Sequence, residues 1–358
     1  LNANLLSKGP LHSASQPNRI DLGEGNTPLV RSRNIGLELG LPNLYFKLEN
    51  LNPTGSYKDR FAAALVSEMV SNRQTRCIAT SSGNTGAALA AYCAAAQIKC
   101  IVAVVDGAPV PKLKQMQLYG AELLMIDGFG TSAEVTGRVM DHLENLTKKL
   151  NLPLPISAYR FCASGMAGVE SISHEILDAL DGIAEIFVPA GGGGLTLAVA
   201  RGVMAKKGHA KVHCIQPEGN DTIATSLRTG APAKSVGQST TRISGLQVAN
   251  VLDGNETIAT CKTLAGTGQT VSDATILRWH KELAFREGIF CEPAGAVALA
   301  GVEKAVLNGE IDPDANIVCL ITGSGFKDMA TVESGFSLPP VTPANIENSF
   351  RKLSELLS

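Results

Sequence analysis

The sequence of 358 residues predicts an α/β fold, with two lobes of mostly parallel, twisted sheet and helices on both faces. Three observations carry that expectation. Short apolar runs of strand length alternate with longer helical stretches along most of the chain. Glycines, serines, threonines and an asparagine gather in loops at the C-terminal ends of those strands, where open α/β sheets place ligands. The length also exceeds the ~250–300 residues beyond which single cores tend to divide.

Residues 1–20 are polar and lack the basic, apolar and small-residue succession of a signal peptide, so none is expected. Residues 21–30 mix turn residues with an extended end, and 44–49 alternate as a strand does. Asn52-Pro-Thr-Gly-Ser-Tyr-Lys-Asp-Arg60 is a turn-forming stretch that feeds an apolar helix over 61–70. Ser56 is its expected N-cap, which puts Lys58 in the first turn. A strand over 77–80, the loop Ser81-Ser-Gly-Asn-Thr-Gly86 and an alanine-rich helix over 87–96 follow. Residues 101–105 form a continuous apolar strand of the kind buried on both faces. Next come a helix at 112–119, a strand at 122–126 and a helix at 132–150.

At Leu152-Pro-Leu-Pro155 the pattern breaks, where the chain is expected to cross between lobes. A strand at 183–188 leads through four consecutive glycines into a helix at 195–205, then a strand at 212–216. Residues 217–272 are polar and loop-rich, with little periodicity. Helices at 273–286 and 295–307 precede an apolar strand, 316–321, that ends in Thr322-Gly-Ser-Gly325. Residues 346–357 are amphipathic and are expected to pack on the chain's own body or on a subunit partner.

Composition narrows the function. A formal charge of −2 argues against nucleic acid or an anionic membrane as partner, and no apolar run is long enough for a transmembrane helix. Eight cysteines without a Cys-x-x-Cys pair read as reduced core residues of a cytosol-like compartment. Six scattered histidines give no metal-ligand spacing, so no protein metal site is expected.

The loops carry the chemistry. A lysine at the positive end of a helix, such as Lys58, loses its proton more easily, and a neutral amine is what Schiff-base chemistry needs. Its bland alternative is a solvated surface charge. Gly191, Gly192, Gly193 and Gly194, between a strand and a helix, form a phosphate cradle by physical type, or else a tight turn. They lack both the spaced glycines of a dinucleotide site and the lysine of a P-loop. The 81–86 loop suits a carboxylate, with Asn84 free to meet a phenolic oxygen, or it serves only as a helix cap. Thr322 ends a buried strand beside two glycines, so its hydroxyl meets either a ring nitrogen or its own backbone. An amine, a phosphate cup, a carboxylate loop and a hydroxyl for a heterocycle match the handles of pyridoxal 5′-phosphate.

Five motifs in this order resemble the tryptophan-synthase-β-like, or fold type II, pyridoxal-phosphate enzymes, and among them the threonine synthases. They are Gly23-Glu-Gly-Asn-Thr-Pro-Leu29, the 52–60 stretch, the 81–86 loop, the four glycines and Thr322-Gly-Ser-Gly-Phe-Lys-Asp328. The resemblance covers about residues 21–330. It implies that Lys58 links covalently to the cofactor and later acts as a mobile base. It further implies that Asn84 contacts the 3′-oxygen, that Ser82 and Thr85 hold the substrate carboxylate, and that Gly191–Gly194 with Leu195 bind the cofactor phosphate. Thr322 is then expected at the pyridine nitrogen. The implied organisation is a larger cofactor-binding lobe, 1–50 with 155–358, and a smaller mobile lobe, 51–154, in a cytoplasmic homodimer.

A threonine synthase turns O-phosphohomoserine and water into threonine and phosphate, and so needs a second anion place. Lys112, in Pro-Lys-Leu-Lys-Gln, and Arg160, in Ser-Ala-Tyr-Arg, are the candidates, against solvated surface charges as the alternative. The family commonly follows that arginine with Gly-Gln-Lys-Thr, whereas this chain has Phe161-Cys-Ala-Ser-Gly-Met-Ala-Gly-Val-Glu-Ser171. A relative that eliminates or replaces at Cβ, such as a threonine/serine dehydratase or a synthase using an activated serine, is the other reading.

Overall fold

The structure is a computed structural model that describes residues 18–81, 83–108, 110–130, 132–336 and 345–357. Its strands are β1 (Leu29–Arg31), β2 (Leu44–Leu48), β3 (Arg76–Ala79), β4 (Lys99–Val104), β5 (Glu122–Met125), β6 (Ile183–Pro189), β7 (Lys211–Pro217), β8 (Gly268–Val271) and β9 (Asn316–Ile321). They form a six-stranded sheet in the order β1-β2-β9-β6-β7-β8 and a three-stranded sheet in the order β3-β4-β5. Only β1 runs antiparallel to its neighbour. The α/β class with mostly parallel sheet is therefore as the alternation predicts.

The helices are α1 (Ile35–Glu38), α2 (Lys58–Ser71), α3 (Asn84–Ala95), α4 (Val110–Leu118), α5 (Ala133–Leu150), α6 (Ala163–Val169) and α7 (Ser171–Ala179), then α8 (Gly194–Ala205), α9 (Ala224–Thr229), α10 (Gly254–Thr263), α11 (Asp273–Glu287), α12 (Val297–Leu307), α13 (Met329–Gly335) and α14 (Ile346–Leu357). The central strands are buried on both faces. On β6, Ile186 and Val188 join a core shared with α8, while Phe187 between them joins another shared with α12. Burial on alternate faces is why these strands read as mostly apolar runs. A third core lies under α5, around Phe129 and Leu143.

Two regions to which the sequence assigned no elements form regular structure. Residues 217–272 contain α9, α10 and β8, elements of four to ten residues that are too short to establish a period. The stretch after Arg160 forms α6 and α7. A Cβ on Gly165 would lie 2.6 Å from the Phe61 ring, and one on Gly168 would lie 2.5 Å from the Arg60 carbonyl. Close approach to α2 thus organises α6, and an apolar stripe is not needed. All eight cysteines are free and buried, as expected of core residues. Sulfurs of Cys77, Cys93 and Cys100 lie within 4.8 Å of one another.

The chain to Asp328 is one compact unit, and Met329–Ser358 is a second. Within the second, Ile346, Phe350, Leu353 and Leu357 share one exposed stripe of α14. Among the described residues no helix is long and apolar enough to cross a membrane.

Candidate active site

Lys58 is the first residue of α2, and the loop before it is locked from several sides. Thr54 donates to the Asp59 carboxylate through its N–H (3.0 Å) and its hydroxyl (2.8 Å). Arg60 bonds Glu49 at 2.7 Å and Glu175 at 2.6 Å, and Lys47 reaches Glu175 at 2.6 Å. Burial would raise Glu175, but Arg60 and Lys47 hold its carboxyl down at about 2. Gly55 has φ +86°, and a Cβ there would meet Lys327 Cε at 3.1 Å and Ser324 Cβ at 3.2 Å. The loop therefore lies flat on the turn after β9, and Tyr57 N–H donates to the Thr322 carbonyl at 3.1 Å. One expectation is corrected. Tyr57, not Ser56, occupies the cap position, and Ser56 Oγ is buried without a partner among the described residues. Asp59, reaching back to Thr54, supplies the negative charge that the helix start favours.

The Lys58 amine is half-buried, 4.5 Å from the centre of the Tyr57 ring, and donates to Ser157 Oγ at 2.5 Å. Ser157 Oγ in turn lies 3.2 Å from Thr85 Oγ1. Burial brings the ammonium down to about 7, with Glu292 opposing the shift. A lysine that loses its charge near neutrality has the property that carbonyl capture requires.

Asn84 and Thr85 open α3, and Ser82 lies outside the described residues. Asn84 Nδ2 donates to Glu292 Oε1 at 2.8 Å, whereas its own Oδ1 is buried without a partner among the described residues. Glu292 is buried, and its other oxygen lies 3.6 Å from the Lys112 amine. Lys112, also buried, reaches Ser244 Oγ at 3.4 Å. Lys327 donates to Gln115 at 2.9 Å, and burial lowers it to about 8 against the pull of Glu292 and Asp59. The site is thus rich in cations around one carboxylate. Arg160 is exposed, with its guanidinium 5.5 Å from the Phe161 ring centre, so the structure brings Lys112 to Glu292 and leaves Arg160 outside.

The four glycines follow β6 after Ala190, and the last of them starts α8, with Gly193 at φ +95° and Leu195 buried behind them. A Cβ on Gly193 would lie 2.6 Å from Thr257 Oγ1, and one on Gly194 would lie 3.1 Å from Asp253 Oδ2 and from the Ser157 carbonyl. Only glycine leaves this cradle open. Thr322 Oγ1, just past the end of β9, is buried without a partner among the described residues. Orphaned polar atoms on Thr322 and Asn84, a bare glycine cradle at a helix start and a readily neutralised amine fit pyridoxal 5′-phosphate well.

The sequence reasoning missed Ser157, Glu292 and Asp253 and gave Lys327 no role. Glu292 had a signal, since a carboxylate interrupts a mostly apolar segment just before the proline that starts the turn Pro293–Ala296. Ser157 had none.

The sequence family described as "Pyridoxal-phosphate dependent enzyme" matches residues 20–323. A threonine synthase of Halalkalibacterium halodurans is 31% identical, covering 92% of this chain and 91% of its own length. One of Methanosarcina acetivorans is 32% identical over 92% of this chain and 81% of its own. The processed form of threonine deaminase isoform 2 from Solanum lycopersicum superposes with a TM-score of 0.73 at 24% identity, covering 87% of this chain and 84% of that one.

Proposed function

The chain belongs to the pyridoxal-phosphate dependent enzyme family, and on that premise we propose that it is a threonine synthase or a close paralogue. Its reaction would convert O-phosphohomoserine and water to threonine and phosphate. The observation that carries this reading is the buried Lys112 amine, 3.6 Å from Glu292, which offers an anion place besides the glycine cradle's own N–H groups.

The cofactor, when bound, supplies an electron sink that acidifies the hydrogens of an attached amino acid. The chain's own residues do the rest. The backbone of Gly191–Gly194, with Leu195 at the helix start, holds the cofactor phosphate. Asn84 meets the 3′-oxygen. Thr322 meets the pyridine nitrogen with a hydroxyl that cannot keep a proton there, a choice that favours elimination and replacement over transamination. Thr85, with Ser82, fixes the substrate carboxylate. Lys58, neutral in good part near pH 7, takes the Cα proton, gives it up, and so regains the free amine that takes a Cβ proton. Lys112, with Arg160 once substrate draws it in, stabilises the phosphate leaving from Cγ. The reading includes a cytoplasmic homodimer with 51–154 as its mobile lobe.

One observation favours a second reading. With Arg160 exposed, the second anion place rests on Lys112, which suits an enzyme that expels a small or uncharged group from Cβ, such as a dehydratase. A substrate panel with phosphate release and product identification separates the two. Release of phosphate from O-phosphohomoserine with threonine as product supports the first. Turnover of threonine or O-acetylserine with none of O-phosphohomoserine rejects it.

A further inference from the structure

Among the described residues, the Lys58 amine has one hydrogen-bonding acceptor, and it is a hydroxyl rather than a carboxylate. Ser157 is held for this role from two directions. Asp253 accepts from the N–H groups of Tyr159 (2.8 Å) and Arg160 (3.2 Å), which pins the turn just beyond Ser157. The Ser157 carbonyl lies where a Cβ on Gly194 would come within 3.1 Å, so the bare start of α8 lets this backbone approach. From Ser157 Oγ a second hydroxyl, on Thr85, continues the chain at 3.2 Å into the loop expected to hold the substrate carboxylate.

We propose that Ser157 is a positioning residue, the acceptor that aims the free Lys58 amine and tunes its protonation through the Lys58–Ser157–Thr85 chain. The proposal rests on the reading of Lys58 above and adds a residue to it. A neutral hydroxyl accepts from an ammonium better than from an amine, but more weakly than a carboxylate would. Ser157 therefore orients Lys58 without fixing it as a permanent cation. Other ionisable groups around the amine are Tyr57 beside it and Glu292 within electrostatic range, with Glu292 shared by Lys112 and Lys327. None of these changes when Ser157 is substituted.

The test uses the full chain stripped of cofactor. Pyridoxal 5′-phosphate is added across a range of pH, the product is fixed with borohydride, and the rate of label appearing on Lys58 is followed. In Ser157→Ala the midpoint of the pH profile should move to lower pH by about one unit, since the ammonium loses its acceptor. The plateau rate should fall about tenfold as the amine loses its aim. Ser157→Thr, which keeps a hydroxyl, should restore both. Thr85→Val should move the midpoint less and in the same direction, and it stands as the test if Ser157→Ala does not fold. Label on Lys58 with an unchanged midpoint in the tested variants overturns the role of Ser157 and leaves the reading of Lys58 standing. No label on Lys58 in the unsubstituted chain overturns both.

Discussion

Asn84 Nδ2 donates to Glu292 Oε1 at 2.8 Å, and this single bond joins the start of α3 to the turn that leads into α12. The two residues are 208 positions apart in sequence. Glu292 thereby orients the side chain expected at the cofactor's 3′-oxygen while it faces Lys112.

Glu292→Ala should cost about 3–5 kcal/mol in urea denaturation, because it leaves Lys112 buried beside no carboxylate and frees the Asn84 amide. Glu292→Gln should be milder. It should move the pH midpoint of Lys58 capture downward, since the carboxylate is what opposes the fall of that lysine. An unmoved midpoint would separate Glu292 from Lys58.

Thr322→Val should make the cofactor-free protein more stable by about 1 kcal/mol, because it removes a buried hydroxyl that has no partner. The same change should weaken cofactor binding roughly tenfold in an absorbance titration. A loss of stability instead would mean that the hydroxyl serves the fold.

Gly193→Ala combines positive φ with a Cβ 2.6 Å from Thr257 Oγ1, so it should cost about 1–3 kcal/mol of stability and weaken cofactor binding. At Gly192 a Cβ would meet only side-chain tips of Val248 and Leu252, at 3.1 and 3.2 Å. Gly192→Ala should therefore be the milder of the two by both measures.

Lys112→Ala should raise the apparent KM for a phosphorylated substrate by about tenfold or more, and Arg160→Ala should raise it less, given their burial and exposure. Equal effects would show that Arg160 is drawn into the site with substrate.

Acid should act on the frame of α2 with two signs. Glu175 titrates at about 2 rather than 4.5, so the stability it contributes is complete above 4.5 and is lost as pH falls towards 2. That amounts to about 3 kcal/mol. Asp59 is raised by burial from 3.8 to about 6, so its ionised form costs stability above 6, and the cost fades as pH falls towards 3.8. Urea midpoints should thus rise from pH 7 to about 4.5 and then fall. Asp59→Asn should flatten the rise, and Glu175→Gln should flatten part of the fall.

The alternation of strands and helices, and the loops after them, were legible because both are local. A parallel strand buried on both faces is mostly apolar, and a loop that receives a phosphate sheds its side chains. Lys58, Asn84, the four glycines and Thr322 stood out as candidates by residue type and place, and the family resemblance supplied the roles expected of them. Helices α6 and α7 were not legible, because α6 is organised by contact with α2, a hundred residues away, rather than by a stripe of its own. The same reason hid Ser157, whose meaning is a 2.5 Å contact across 99 residues. Sequence by itself determined the class of fold and the cofactor, and it singled out Lys58 as a candidate. Only the tertiary structure decided that the lysine rests on a serine, that Lys112 faces Glu292 and that Arg160 lies outside, since each depends on which distant segments the core packs together.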